Sequence, residues 1–284
     1  MASGGGGDTP RDAPAPGGIP VAAADPIHDA WFDAPTCLNC GASLATPWCG
    51  QCGQARARRL AWGDLRRETW SHWRLFERLQ ASTLVRLLVA PGHIARGYVL
   101  GRRKDTMHPL KLLLFVVALL AVMVATSGYF EHHGFSSRAD PALARMAALV
   151  QSYANWSFTL GIFAIFASSA LVFRRRQGYN LVEHGVLAVY CQVLVMVAFL
   201  VALLPTLAWD SPAFIAAYKV HVGRWMTAVR LLVVAVAFTQ FFGLRLRRDG
   251  WRLAIALAVC AGATWGLRQL YAHAILRIVQ SQLA

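Results

Sequence analysis

Acidic residues are scarce in this chain of 284: Asp and Glu number 14 against 28 Lys and Arg, and charged residues of both signs make up only 15%. Soluble domains carry about 25% charged residues, so this shortage, beside 56% hydrophobic residues, argues for a protein that sits in a membrane. No apolar run is flanked by paired carboxylates. A nucleophile elbow, a P-loop, an HExxH pair and a dinucleotide fingerprint are all missing, which leaves familiar enzyme chemistry without a foothold. No inverted repeat or pair of broken helices marks a transporter. The front lacks the charged start and apolar core of a secretory signal. Residues 1–35 are instead rich in Gly, Ala, Pro and Asp, read as a disordered tail, and are expected in the cytosol.

What the chain does have is apolar runs of the length that crosses a bilayer, about 20 residues. They fall near 109–127, 155–173, 181–204, 224–243 and 251–271. Lys and Arg number fourteen before and at the start of the first run. The segments that follow hold two, three, two, four and two, with Arg230 inside the fourth run. This alternation places the N-terminus in the cytosol and the C-terminus outside. The expected fold is an all-α membrane protein, a bundle of five spans over residues 109–284. Cap chemistry agrees: Asp140-Pro141 and Ser211-Pro212 set a capping residue before a proline at the first helical position. Asn180 with Glu183 three residues on fits a capping box opening the third span.

Four of the six cysteines stand in CLNCGASLATPWCGQCGQ, as Cys37-x2-Cys40-x8-Cys49-x2-Cys52. Two residues between cysteines allow a tight turn to aim both thiolates at one tetrahedral zinc. Gly41 and Gly53 supply the backbone freedom such turns use. Two disulfides or a redox pair are the alternatives. A cytosolic position speaks against the first, and the lack of a surrounding βαβ pattern against the second. The reading favoured is a closed structural zinc ribbon over 36–55 with all four thiolates as ligands and no open position for catalysis. Cys191 and Cys260 fall inside apolar runs and read as small buried hydrophobes.

Residues 56–108 join the cysteines to the first span. Trp62, Leu65, Thr69, Trp73, Phe76 and Leu79 recur at helical spacing while Arg66, Arg67, Arg74 and Arg78 fall mainly elsewhere. A basic amphipathic helix of this kind suits the headgroup region of anionic lipid, with Arg102, Arg103 and Lys104 continuing the positive surface. The net charge of +14 also raises nucleic acid as a partner, but topology already accounts for it and no base-reading module is present.

The CxxCG…CxxCGQ clip, Pro91-Gly92, Tyr98-x-x-Gly101-Arg102-Arg103, Pro109-Leu110, Glu183-His184 and the stretch Phe241, Phe242, Leu244, Arg247, Arg248 together resemble a bacterial family of zinc-ribbon-bearing integral membrane proteins of unknown function. The resemblance covers roughly residues 37–260 and implies a cytoplasmic-membrane location. It departs from the family's pattern at Thr106-Met107-His108, where an aromatic is expected, and at Tyr190, where histidine is frequent. No activity comes with it. Within the spans, Glu183, His184 and Arg230 are the ionisable candidates for a bundle site, although Glu183 also suits the cap and Arg230 could reach outward. The function expected first is a scaffold that presents the zinc ribbon at the cytosolic membrane surface to a protein partner. Handling of a lipid or solute around Glu183 and His184 comes second, and nucleic-acid binding third.

Overall fold

The computed structural model describes residues 27, 29–63, 79–104, 106–126, 160–174, 178–209 and 211–283. Among them there are helices and no strand. The longer helices are α1 (Leu79–Val89), α2 (Pro91–Val99), α3 (Pro109–Thr126), α4 (Leu160–Phe173), α5 (Leu181–Leu203), α6 (Pro212–Phe241) and α7 (Leu246–Leu283), with a single helical turn, Pro205–Ala208, after α5. Residues 1–26 of the expected tail lie outside the described residues. Asp29–Asp33 forms a turn of 3-10 helix with Phe32 buried, and the Trp31 indole donates to the Leu100 carbonyl at 3.2 Å. Arg66, Arg67, Trp73 and Arg74 lie outside the described residues, as does Asp140-Pro141.

Helix α5 is the axis of the bundle. Its sequence, LVEHGVLAVYCQVLVMVAFLVAL, is apolar on every side, which suits a helix surrounded by others. Val186, Leu187, Tyr190, Cys191, Val193 and Leu203 are all buried. Helices α3, α4, α6 and α2 pack around it, and α7 lies against α4. The outer faces carry Leu114, Val122, Phe163, Leu171, Trp225, Leu232, Trp251 and Trp265 exposed, the arrangement expected where lipid supplies the apolar surroundings.

Among the described residues three helical stretches are long and apolar enough to cross a membrane: Leu181–Ala208, Ala213–Phe241 and Leu246–Ile275. They match the last three of the five expected spans, and five are not supported by the described residues. Within the runs near 109–127 and 155–173 the described helices are Pro109–Val124 and Leu160–Phe173; residues 127 and 155–159 of those runs lie outside the described residues.

The local signals act where the sequence puts them. Asn180 and Glu183 form the full capping box: the Glu183 N–H donates to Asn180 Oδ1 at 2.9 Å, and the Asn180 N–H to Glu183 Oε2 at 2.7 Å. Ser211 Oγ accepts from the Phe214 N–H at 3.4 Å with Pro212 at the first turn, so α6 starts well before the run at 224. That early part is held by the Tyr218 hydroxyl donating to the Ala202 carbonyl at 2.8 Å.

At the other end of the bundle, α2 lies across the close of α6. Gly92 makes the approach possible: a Cβ there would stand 2.2 Å from the Ala237 carbonyl oxygen and 2.6 Å from the Phe241 nitrogen. Its N–H donates to Gln240 Oε1 at 2.9 Å. The Tyr190 hydroxyl donates to the Met107 carbonyl at 2.7 Å. The start of α3, the start of α5 and the close of α6 therefore meet on one face of the bundle, under α2.

Candidate metal centre

The cysteine segment is two copies of one turn, twelve residues apart, a repeat not read from the sequence. In the first, the Gly41 N–H donates to the Cys37 carbonyl at 2.8 Å, the Cys37 N–H to the Ala42 carbonyl at 2.7 Å and the Leu44 N–H to the Pro35 carbonyl at 2.8 Å. In the second, Gly53 donates to Cys49, Cys49 to Gln54 and Arg56 to Pro47, each at 2.8 Å. Gly41 and Gly53 take φ of 81° and 71°, a conformation that favours glycine. Single antiparallel bridges, Thr36 with Ser43 and Trp48 with Ala55, close each turn. The signal was present in the letters: Pro, one residue, Cys, two residues, Cys, Gly, repeated.

The turns face each other and bring four sulfurs together. Sγ atoms of Cys37, Cys40, Cys49 and Cys52 all lie within 4.8 Å of one another, a group that could hold a metal ion. Cys37 and Cys52 are 3.7 Å apart and Cys40 and Cys49 are 3.5 Å, far beyond a disulfide bond of about 2.05 Å. The thiols are not alike. The Cys52 backbone N–H pulls Cys49 down to about 6, while burial pushes Cys52 up to about 12. At Cys40 the Ala42 backbone opposes burial and the neighbouring sulfurs, and the net direction is upward.

The knob is bolted to the bundle. Gln54, directly after the last Cys-Gly, is buried and fills the loop ahead of α3. Its Nε2 donates to the Gly101 carbonyl at 2.7 Å, and its Oε1 accepts from the Arg103 N–H at 3.0 Å and the Lys104 N–H at 2.9 Å. Gly101, at φ 102°, lies so close beneath that a Cβ would stand 2.8 Å from Ala57 Cβ and 2.9 Å from Leu38 Cδ1. Arg103 turns inward: Nη2 donates to the Arg58 carbonyl at 2.5 Å, and the guanidinium lies 5.7 Å from the centre of the Tyr98 ring. Of the three basic residues expected on the lipid-facing surface here, Arg102 is half-buried and Lys104 is exposed.

Beyond the clip, Arg59 Nε donates to Glu183 Oε1 at 3.2 Å and Nη1 to Asp29 Oδ1 at 3.0 Å, and Nη2 donates to the Gly178 carbonyl. The Asn180 amide donates to the Leu60 carbonyl at 3.0 Å. Glu183 is fully buried with both oxygens engaged. His184, also buried, shares a 2.6 Å hydrogen bond between Nδ1 and Ser169 Oγ. Arg230 does not reach outward; it is 8% exposed and stands with Gln192 against Gly161, where a Cβ would meet Gln192 Oε1 at 2.2 Å and Arg230 Nη2 at 3.2 Å. It lies twelve residues before Phe242 on α6, about 18 Å along the axis, while the His184 ring is 5.8 Å from Phe242. The three ionisable bundle candidates are therefore not one site. Cys191 and Cys260 are buried free thiols.

Among the described residues, fold and centre together define a helical protein with three helices long and apolar enough to cross a membrane and a four-cysteine knob clamped to one end. Residues 81–121 match a family described as "Protein of unknown function (DUF3667)". That stretch holds Pro91-Gly92, Gly101-Arg102-Arg103 and Pro109, the collar under the knob, and stops short of the cysteines. No curated protein and no solved structure matches the chain.

Proposed function

We propose that this chain is a multi-pass protein of the bacterial cytoplasmic membrane that holds a zinc-stapled knob at the cytosolic surface for a protein partner to dock on. The observation that carries this reading is the clamp of Gln54 on the loop at 101–104, which presents the knob at a set position instead of on a flexible tether. Trp48 on the knob is 62% exposed, and an exposed tryptophan is a common anchor of protein interfaces. Four Zn–S bonds of about 2.3 Å set sulfurs about 3.8 Å apart, and the pairs at 3.7 and 3.5 Å fit. With four thiolates the ion, when bound, cross-links the two turns and keeps no position for water.

The Lys/Arg alternation supports five crossings, with the apolar runs that hold α3 and α4 as the first two. It sets the knob side in the cytosol and the C-terminus outside. Arg66, Arg67, Trp73, Arg74, Arg102 and Lys104 would rest on anionic headgroups. Handling of a solute at Glu183 has less support, because both carboxylate oxygens are occupied by Arg59 and Asn180. Nucleic-acid binding is weakened by the inward use of Arg59 and Arg103.

Tagged full-length protein, recovered from membranes beside Cys37→Ser/Cys40→Ser and Trp48→Ala variants, tests docking. Partners retained by the parent and lost from both variants support it; identical partner sets overturn it. Labelling of single cysteines from either side of the membrane tests the five crossings.

A further inference from the structure

Arg96, on α2, is 2% exposed and among the largest fully buried side chains of the protein. Among the described residues its Nε and Nη2 have no hydrogen-bond partner. These two nitrogens form one edge of the guanidinium, the edge that grips two oxygens of a carboxylate or phosphate side by side. A charge withdrawn from water with that edge unfilled is strongly unfavourable, and arginine cannot escape the cost by giving up its proton. Among the described residues, the two buried carboxylates of the neighbouring elements are engaged elsewhere. Glu183 is occupied by Arg59 and Asn180, and Asp249 by the Arg245 N–H and Arg252.

Other unpartnered polar atoms gather around the same place. Burial pushes the Tyr179 phenol up to about 12, opposed by the charge and the side-chain contact of Arg96 beside it, and its hydroxyl makes no hydrogen bond of normal length among the described residues. The Tyr179 and His184 rings are 6.2 Å apart, and His184 Nε2 is likewise buried without a partner. With Nδ1 engaged by the Ser169 hydroxyl, Nε2 is the ring nitrogen left for a further partner, and it donates in the tautomer that places the proton there. Phe241 and Phe242 wall the group, with ring centres 4.6 and 5.8 Å from Tyr179. Gly243, at φ 57°, ends α6 beside it; a Cβ there would stand 3.8 Å from Arg96 Nη1.

We propose that Arg96, Tyr179 and His184 form a binding site for a phosphate group, gripped by the free edge of the guanidinium and completed by the phenol and imidazole donors. A tetrahedral oxyanion accepts from donors in several directions, as a flat carboxylate does less well. The group can arrive as the headgroup of an anionic lipid, since α2 lies at one end of the bundle, or as a free phosphate. The site is independent of the docking role: it uses no cysteine and no residue of the clamp.

The test uses full-length protein. In detergent it is titrated with inorganic phosphate against chloride at matched ionic strength. It is also placed in nanodiscs of phosphatidylcholine with and without phosphatidylglycerol. A rise of several degrees in the unfolding midpoint with inorganic phosphate supports a free-phosphate site. A rise with phosphatidylglycerol alone, together with a phospholipid retained in native mass spectra, supports a headgroup site. In either case Arg96→Gln abolishes the rise and Tyr179→Phe diminishes it. No rise in the wild type with either probe, or a rise left intact in Arg96→Gln, overturns the proposal. If Arg96→Gln does not fold, an undiminished rise in Tyr179→Phe overturns it instead.

Discussion

Arg59 and Glu183 meet across 124 residues of chain, Nε to Oε1 at 3.2 Å. The carboxylate serves two elements at once: Oε2 accepts from Asn180 to cap α5, and Oε1 accepts from the segment that leaves the cysteine knob. Negative charge at a helix N-terminus is favoured by the helix dipole, and the pairing with Arg59 makes a fully buried acid tolerable there. The knob and the central helix are therefore joined by an ion pair with one buried partner.

Removing Arg59 strands that acid. Arg59→Ala should cost on the order of 2–3 kcal/mol, below the usual figure for a fully buried pair because Arg59 is itself partly exposed. Glu183→Gln keeps an oxygen for the cap and should cost less. The double variant should be more stable than the sum of the two losses, measured by thermal unfolding in detergent.

Metal content separates the clip from its clamp. Purified protein should carry about one zinc per chain by elemental analysis, lost in Cys37→Ser, with protons released on reloading since Cys52 and Cys40 are held protonated without an ion. Gln54→Ala should keep the zinc. It leaves three backbone groups at 101–104 without partners and should speed amide exchange there, at about 2–4 kcal/mol of stability.

Helix crossing depends on Gly92. Gly92→Ala places a methyl 2.2 Å from a backbone oxygen that cannot step aside, so α2 must lift from α6. The expected loss is about 2 kcal/mol or more, whereas alanine at Gly97, which meets nothing within 4 Å, should be stabilising or neutral.

Acid should loosen the collar through His108. Burial, aided by Lys111 and Arg103, holds this imidazole down to about 4. Its Nδ1 accepts from the Leu110 N–H at 3.3 Å at the start of α3, a bond that protonation removes. The unfolded chain takes up the proton first, near pH 6.5, so stability present above that pH falls as pH drops toward 4, by at most about 3 kcal/mol. His108→Gln should flatten this part of the pH–stability curve, read from unfolding midpoints at several pH values.

Local chemistry was legible in the letters. The paired Cys-x-x-Cys turns, the Asn180–Glu183 box, the Ser211-Pro212 start and the apolar runs all act within a few residues of themselves, where spacing alone sets geometry. The number of crossings was less legible: of the five apolar runs, three lie in described helices long and apolar enough to span. What only the tertiary structure decided is long-range pairing: Gln54 with the loop at 101–104, Arg59 with Glu183, Tyr190 with Met107. It also set Arg96 inside the protein with its free edge beside Tyr179. A lone Gln or Arg has many possible partners in a chain, and the choice among them is made by packing, here by glycines at 92 and 101 that let the backbones close.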